Sequence, residues 1–425
     1  MAITLTCVFL AGYLLITAEQ LLRINKAATA LFTGVVLWTI FIAGSADHGA
    51  IVRSLVGHIG DFSGILFFLM AAMTIVELID LHDGFRVITD RITTSNKQLL
   101  LCIIAILTFL LSAVLDNLTT TIVMVSLSTK LIPDRKDRLS FIGLIVIAAN
   151  AGGAWSPIGD VTTTMLWIGG GITSANLFAR VFIPSLLCLG IPLLWVLLQK
   201  RGTTEKPTLA IAANGNLMPF ERNVVFFTGV SMLIAVPFFK ALTHLPPYMG
   251  ALFGLSVLWI VTEFMHARKN NEIKEAVSPA SALTKIDLPS VLFFLGILLA
   301  ISCLESAGVL LQCAHWLGSL TGNQSIIVFL LGIVSAIVDN VPLTAAVMGM
   351  YPLHQFPVDH HLWSFLAYCV GTGGSTLIIG SAAGVVAMGI GKISFFWYFK
   401  NFSLIAFAGY AVGAIWYLIA VGDFW

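Results

Sequence analysis

The residues best suited to chemistry in this chain are two Asp-Asn pairs, each in the middle of a long apolar stretch. Asp116 and Asn117 form the first pair, and Asp339 and Asn340 form the second. A carboxylate at membrane depth is costly, so it is a functional hypothesis by default. Carboxylates and amides supply hard oxygen ligands, which suit a small hard cation. The duplicated pair therefore predicts a cation-binding site.

Each pair is followed along the chain by an apolar segment that glycines interrupt. The first segment contains residues 150–160 and includes Pro157, and the second contains residues 371–381. When the two are aligned, Gly152, Gly153, Ile158 and Gly159 match Gly373, Gly374, Ile379 and Gly380. Proline and paired glycines disfavour a continuous helix. Unwound backbone at membrane depth is tolerated only where it is buried in protein or lines a watery cavity. We therefore predict two broken transmembrane helices.

Composition sets the class of protein that contains these motifs. Of 425 residues, 58% are hydrophobic and 10% are charged, whereas a soluble domain has roughly 25% charged residues. The chain is therefore predicted to be an all-α polytopic membrane protein that contacts the lipid bilayer. A formal net charge of +1 gives no reason to expect a nucleic-acid partner. No cofactor motif and no enzymatic site is expected.

A span needs about 20 apolar residues, and ten candidates are found apart from the two Asp-Asn stretches. They lie near residues 2–18, 27–44, 63–81, 139–168, 178–198, 223–241, 247–265, 288–304, 363–390 and 401–421.

The positive-inside rule predicts how the two Asp-Asn stretches lie. Lysines and arginines flank residues 102–131 on both sides, whereas none flanks residues 325–352. Each stretch is therefore predicted to enter and leave by one face, as a re-entrant hairpin with two half-length legs and its tip near the midplane. All lysines and arginines except Arg53, Arg180 and Lys240 then fall on the cytoplasmic side.

Two hairpins and two broken helices that enter from opposite faces describe an inverted-topology repeat. The predicted parts are N-terminal spans in 1–62, a first repeat in 63–198, a linker with connecting spans in 199–287, and a second repeat in 288–425. In transporters of this kind the substrate lies at the midplane, where hairpin tips and half-helix ends meet.

The groups expected at this meeting point are carboxylates, amides and hydroxyls. They are Ser112, Asp116, Asn117, Thr119, Asn150, Asp160, Asp339, Asn340, Thr344, Ser375 and Ser381. No lysine or arginine is expected near either tip, which argues against an anion site. Desolvation favours the protonated form of a buried carboxylate, so that a proton and a metal ion compete for one site. That competition is antiport in its simplest form.

Simpler explanations exist for several of these residues. Asp160 can serve only as the N-cap of the second half-helix, and Asp116 or Asp339 can serve only to bind amides at a turn. Ser112 can bond to its own helix. Glu77 and Glu305, near the ends of their spans, fit a gating role and plain solvation equally well.

Four motifs resemble those of the NhaD-type sodium/proton antiporters, within an ion-transporter superfamily that includes citrate, dicarboxylate and arsenite carriers. The motifs are SAVLDNLTTTIV, ANAGGAWSPIGDVTTTMLWIGG, VDNVPLTAAVMGMYP and GTGGSTLIIGSAAGVVAMG. The anion carriers of the superfamily have Ser-Asn-Thr at the hairpin tips, where this chain has Asp-Asn. The resemblance implies exchange of Na⁺ or Li⁺ for H⁺, a homodimer with a scaffold domain and a moving transport domain, and elevator-like alternating access. We expect the protein to lie in a bacterial-type inner (plasma) membrane. It also implies functional roles for Ser112, Asp116, Asn117, Thr119, Asn150, Asp160, Asp339 and Asn340.

We therefore expect Asp116 and Asp160 to be the charged Na⁺ ligands and Asp339 to be a partner acid. Asn117, Asn150 and Asn340 would orient the tips and complete the coordination. The nearest alternative is an ion-coupled carrier of a small anion in the same superfamily. A remote alternative is an aspartyl intramembrane protease, because Ile158-Gly159-Asp160 is similar to the Gly-Asp element of those enzymes.

Overall fold

The computed structural model describes residues 1–17, 24–92, 94–199, 218–267 and 269–421. Within the predicted linker and connecting spans at 199–287, residues 200–217 and 268 lie outside the described residues. Within them, the long elements are all helices. They are Ala2–Thr17, Lys26–Ala43, His48–Leu81, Lys97–Leu115, Asn117–Leu131, Arg135–Gly153, Val161–Ile168, Ser174–Gln199, Pro219–Thr243, Pro247–His266, Leu288–Ser306, Val309–Thr321, Gln324–Val334, Asn340–Met350, His361–Gly373, Ala382–Gly391 and Leu404–Val421. Shorter helices are Arg86–Thr89, Asn271–Ala276, Pro279–Lys285 and Phe395–Tyr398, the last continued by a π-helical turn at Phe399–Ser403.

Eight helices in the described part of the chain are long and apolar enough to cross a membrane. Seven of them correspond to predicted spans, which confirms the all-α polytopic class. The eighth, Lys97–Leu115, was predicted to be a half-length hairpin leg but has 19 residues. The predicted span at 63–81 is also longer, because its helix begins at His48 and runs for 34 residues.

The chain breaks where the motifs predicted it. We call Lys97–Leu115 with Asn117–Leu131 the first hairpin, and Gln324–Val334 with Asn340–Met350 the second hairpin. The first broken helix is Arg135–Gly153 with Val161–Ile168, and the second broken helix is His361–Gly373 with Ala382–Gly391. Helix 309–321, which precedes the second hairpin, was not predicted, because its 13 residues fall short of the roughly 20 that a span needs.

The aligned glycines make equivalent contacts in the two halves. A side chain at Gly152 would meet the backbone carbonyl of Phe109 on the incoming leg of the first hairpin. A side chain at Gly373 would meet the carbonyl of Gly332 on the incoming leg of the second. Only glycine permits such a close approach of two helices. These two glycines therefore allow each broken helix to pack closely against the incoming leg of its own hairpin.

Helices of one half also pack against helices of the other half. The outgoing leg of the first hairpin packs against Ala382–Gly391 of the second broken helix, and the outgoing leg of the second hairpin packs against Val161–Ile168 of the first. Ser174–Gln199 and Leu404–Val421 pack together beside them. Both hairpin tips and both helix breaks are thereby gathered in one place.

A second group of helices lies alongside this assembly. Lys26–Ala43 packs closely along Leu288–Ser306, where the indole Nε1 of Trp38 donates a hydrogen bond of 2.9 Å to the carbonyl of Leu299. Pro247–His266 packs against both Pro219–Thr243 and His48–Leu81. We call the five helices 26–43, 48–81, 219–243, 247–266 and 288–306 the flanking group.

Candidate cation-binding site

The first hairpin turns at Asp116, whose backbone has φ 73° and ψ 162°. This region of backbone space is populated essentially by glycine, so a side chain there is strained. The carboxylate caps the outgoing leg, since its Oδ1 accepts from the Thr119 amide at 2.7 Å and its Oδ2 from the Thr119 hydroxyl at 2.9 Å. The strained backbone holds the Asp116 carboxylate at the end of the leg.

Asn117 connects the hairpin tip to the first broken helix. Its side-chain amide donates to the Oδ2 atom of Asp160 at 2.5 Å and to the Oδ1 atom of Asn150 at 3.0 Å. Asp160 is 3% exposed and Asn150 is fully buried. The other oxygen of Asp160 accepts from the Thr162 amide at 2.8 Å, so Asp160 does cap the half-helix. The cap uses one carboxylate oxygen of Asp160. The second oxygen accepts from Asn117, and we call Asn117, Asn150 and Asp160 the polar cluster.

The second half contributes hydroxyls to the same cluster. Asn150 donates to the hydroxyls of Ser375 and Ser381, both at 2.9 Å. Ser381 also caps its half-helix by accepting from the Gly384 amide, which is the position that Asp160 holds in the first half. The two breaks are thus similar in geometry and different in charge, because only the first carries a carboxylate.

Asp339 differs from Asp116 in its partner. Its Oδ1 accepts from the Val341 amide at 3.3 Å, while its Oδ2 faces the Nζ atom of Lys26 at 3.4 Å. The expectation that no lysine lies near either tip was therefore wrong. The positive-inside rule placed Lys26 in a cytoplasmic loop, whereas the helix that begins at Lys26 brings the ammonium group to the second tip.

Of the predicted site residues, Asp116, Asn117, Asp160, Asp339 and Asn340 line one central cavity of about 80 Å³, whereas Asn150, Ser375 and Ser381 lie behind them and do not line it. Its ionisable lining consists of Asp116, Asp160, Asp339 and Lys26, and its remaining wall is largely apolar. With three carboxylates and one ammonium group, the formal charge of the ionised lining is −2. Such a lining favours a cation over an anion.

Comparison with known proteins agrees with this arrangement. A family model described as "Citrate transporter" matches residues 13–367. "Sodium/proton antiporter 2" of Arabidopsis thaliana is 45% identical over 97% of this chain and 98% of its own length. "Na(+)/H(+) antiporter NhaD" of Alkalimonas amylolytica is 30% identical over 95% of this chain and 87% of its own length. The chain belongs to the NhaD-type antiporter family.

A solved structure has a similar fold. The YdaH transporter of Alcanivorax borkumensis superposes with a TM-score of 0.60 over 95% of this chain and 99% of that chain. At 11% sequence identity, this likeness speaks for the fold alone. The relatives are transporters, so this member of the NhaD-type family is a multi-pass secondary transporter and not an enzyme.

The hydroxyl groups near the two tips of this family member differ in their hydrogen-bond partners. The Ser112 hydroxyl donates at 2.5 Å to the carbonyl of Ala149 on the neighbouring broken helix, and not to its own helix. The Thr344 hydroxyl, by contrast, donates to the carbonyl of Asn340 within its own helix. Sequence reasoning missed Ser335, whose single hydroxyl hydrogen lies within reach of two acceptors, the Oδ1 atom of Asn340 at 2.5 Å and the carbonyl of Val370 at 3.0 Å. Ser335 precedes Asp339 by four positions, as Ser112 precedes Asp116, and that spacing could have identified it.

Glu77 and Glu305 line separate cavities on opposite sides of the site. Glu77 lines a cavity of about 380 Å³ that extends to Thr119, next to Asp116. Glu305 lines a cavity of about 560 Å³ on the other side. The Glu77 cavity and the central cavity share the wall residues Met73, Val76 and Leu118. The Glu305 cavity shares no lining residue with the central cavity among those described.

Proposed function

We propose that this transporter exchanges Na⁺ or Li⁺ for H⁺. The observation that supports this most directly is the central cavity, which is lined by both Asp116 and Asp160 and whose ionised lining has a net charge of −2. Both carboxylates are hard oxygen ligands, which suit Na⁺ and Li⁺. The curated relatives named as sodium/proton antiporters support the same choice of ion.

A carboxylate in this cavity binds either a metal ion or a proton. When Asp116 and Asp160 are ionised, they attract the cation, and when they are protonated, the charge that holds the cation is gone. A site that binds the two in turn, open to one side of the membrane at a time, performs exchange. Asn117 and Asn150 act by orienting the carboxylates, since the Asn117 amide already donates to Asp160 and to Asn150.

The cavities support an alternating-access mechanism. The Glu77 cavity lies on the side predicted to be cytoplasmic and adjoins the central cavity through shared wall residues. The Glu305 cavity lies on the opposite side. We propose that the described conformation is open toward the cytoplasm and that Glu77 and Glu305 attract cations at the two entrances.

Packing supports an elevator-like movement. The hairpins, the broken helices and helices 174–199 and 404–421 form one densely packed group, which carries the polar cluster. We propose that this group moves against the flanking group, that the two halves are inverted repeats, and that the protein is a homodimer in a plasma membrane. The repeats extend beyond 63–198 and 288–425 in this proposal, because helices 26–43 and 247–266 make equivalent contacts with helices 288–306 and 48–81.

The second candidate is a carrier of a small anion such as citrate. The description of the family model and the presence of Lys26 in the cavity wall are the observations in its favour. However, the Lys26 ammonium group is already paired with Asp339, and the net charge of the lining remains negative.

The test uses everted membrane vesicles in which respiration has established a pH gradient. Addition of NaCl or LiCl should dissipate the pH gradient, whereas addition of KCl or potassium citrate should not. The Asp116→Asn variant at matched expression is the control, because it keeps size and hydrogen bonding but removes the charge. Dissipation by citrate alone, or by NaCl equally in both proteins, would contradict the proposal.

A further inference from the structure

The pair formed by Lys26 and Asp339 joins two groups of helices. Lys26 is the first residue of helix 26–43 in the flanking group, and Asp339 lies at the tip of the second hairpin. The Lys26 Nζ atom also lies 4.4 Å from the centre of the buried Phe293 ring, on the helix that packs along 26–43. Ring and carboxylate therefore hold the ammonium group from two sides.

The position of Lys26 is unfavourable for a lysine in two respects. A positive charge at a helix N-terminus opposes the helix macrodipole. A charge in the wall of a largely apolar cavity is costly as well. Both costs are offset if the ammonium group neutralises a carboxylate that would otherwise be exposed to the ion cavity.

Asp339 lines the same cavity as Asp116 and Asp160. All three could in principle attract the transported cation, but only Asp339 has an ammonium group within 4 Å among the ion pairs of the described residues. The Asp116 and Asp160 carboxylates instead accept from amides and hydroxyls. The cavity thus contains one carboxylate with an internal cation and two without.

We propose that Lys26 is a positioning residue that acts as an internal counter-cation for Asp339 and thereby lowers the affinity of the cavity for Na⁺. Lys26 keeps Asp339 out of the coordination shell and leaves Asp116 and Asp160 as the charged ligands. Weak binding lets the ion leave the site after the conformational change. This inference rests on the proposed Na⁺/H⁺ exchange and adds a residue that sets its ion affinity.

The proposal predicts effects of opposite sign for the two partners. Lys26→Gln should lower the half-saturating Na⁺ concentration roughly tenfold, the effect of a unit charge on the order of 10 Å from the ion at an effective dielectric constant near 20. Asp339→Asn leaves the ammonium group unpaired and should raise it by a similar factor. The double variant Lys26→Gln/Asp339→Asn should return to within about threefold of wild type, since the net charge of the cavity is restored. A residue with only a structural role would not shift affinity in opposite directions.

Two matched variants control for the substitutions. Lys26→Arg keeps the charge and should change the half-saturating Na⁺ concentration little. Lys240→Gln removes another lysine that contacts an aromatic ring, since the Lys240 Nζ atom lies 4.7 Å from the centre of the Trp167 ring. Lys240 does not line the ion cavity, so this variant should behave as wild type.

The experiment measures half-saturating Na⁺ for proton flux in proteoliposomes at fixed pH. An unchanged or raised value for Lys26→Gln would overturn the proposal. So would a double variant as impaired as Asp339→Asn alone, because Asp339 would then be a direct ligand.

A second measurement tests the pair without transport. In Na⁺-free detergent, Lys26→Gln and Asp339→Asn should each lower the thermal unfolding temperature, and the double variant should lower it by less than the sum. Simple additivity would overturn the pair as an interaction. If wild type showed no Na⁺-dependent flux, the proposed exchange would fail, whereas this unfolding cycle would still decide whether Lys26 and Asp339 are coupled.

Discussion

The backbone at Asp116 allows strain and function to be separated experimentally. Its φ of 73° and ψ of 162° belong to a region that only glycine populates freely, at a cost of about 1–3 kcal/mol for other residues. A glycine would remove this strain, yet the sequence has an aspartate. We infer that the carboxylate is retained at the tip for ion binding and at the expense of stability.

The size of the effect follows from the contacts of Asp116. Asp116→Ala loses the cap on the Thr119 amide, worth about 0.5–2 kcal/mol, and keeps the strain. Asp116→Gly loses the same cap but gains about 1–3 kcal/mol by relief of strain. The glycine variant should therefore be close to wild type in stability and more stable than the alanine variant. Both should lack Na⁺-dependent proton flux, because neither has a carboxylate.

Asp287 supplies a matched control for this comparison. Its carboxylate caps helix 288–306 by accepting from the amide and the hydroxyl of Ser290, as Asp116 does from Thr119. Its φ is −75°, so no strain is relieved there. The difference between glycine and alanine at 287 measures the N-cap preference alone, and the excess of the difference at 116 measures the strain.

The assay is thermal unfolding in detergent, followed by flux in proteoliposomes. Equal glycine-to-alanine differences at positions 116 and 287 would refute the strain argument. A glycine variant that exchanged Na⁺ with the half-saturation of wild type would refute the role of the Asp116 carboxylate.

Three further outcomes are expected. Asp160→Asn and Asp160→Ser should retain the cap on the Thr162 amide, which contributes about 1 kcal/mol to stability. Both variants should raise the half-saturating Na⁺ concentration by a hundredfold or more, because removing a charge from a buried cation site costs several kcal/mol. A shift below about threefold would leave Asp160 as a cap only. Cysteines that replace Lys97 and Arg135 should react with a membrane-impermeant thiol reagent from one side of the membrane, and a cysteine that replaces His354 should react from the other side. Labelling of positions 97 and 135 from opposite sides would exclude the first re-entrant hairpin. Burial lowers the pKa of His82 to about 4 from 6.5, so the imidazole of the unfolded chain binds a proton more readily than that of the folded protein. The contribution of His82 to thermal stability should therefore be complete above pH 6.5 and be lost as the pH falls from 6.5 to 4. His82→Gln should flatten this dependence of the unfolding temperature on pH, and an unchanged dependence would exclude His82 as its cause.

The architecture was predictable because it depends on features that are local in sequence. The helix breaks follow from glycine pairs and Pro157, and both tips follow from a polar pair inside an apolar stretch. Gly152 and Gly373 show why the alignment of the two segments was informative, since each contacts the incoming leg of its own hairpin. The length of the first hairpin was less predictable, because an apolar run of some thirty residues does not reveal where it turns relative to the membrane.

The contacts of the site were less predictable, because they depend on packing between distant segments. The Asn117 amide donates to Asn150 and Asp160, 33 and 43 positions away. Lys26 meets Asp339 across 313 positions. Nothing near Lys26 in the sequence indicates a partner, and charge-based topology rules count it as a loop residue. The candidate residues therefore came from their types, and their partners came only from the fold.

The asymmetry between the two breaks has a consequence for mechanism. Asp160 and Ser381 hold equivalent capping positions, but only Asp160 adds a charge to the cavity. The asymmetry at the tips has the same direction, because Asp116 and Asp339 are both acidic and only Asp339, in the second half, is paired with Lys26. A symmetric fold thus produces one pair of uncompensated carboxylates, both from the first half. In the proposed mechanism, these two carboxylates bind one monovalent cation or accept protons in its place, and pairing Asp339 with Lys26 keeps a third carboxylate from strengthening the binding of the ion.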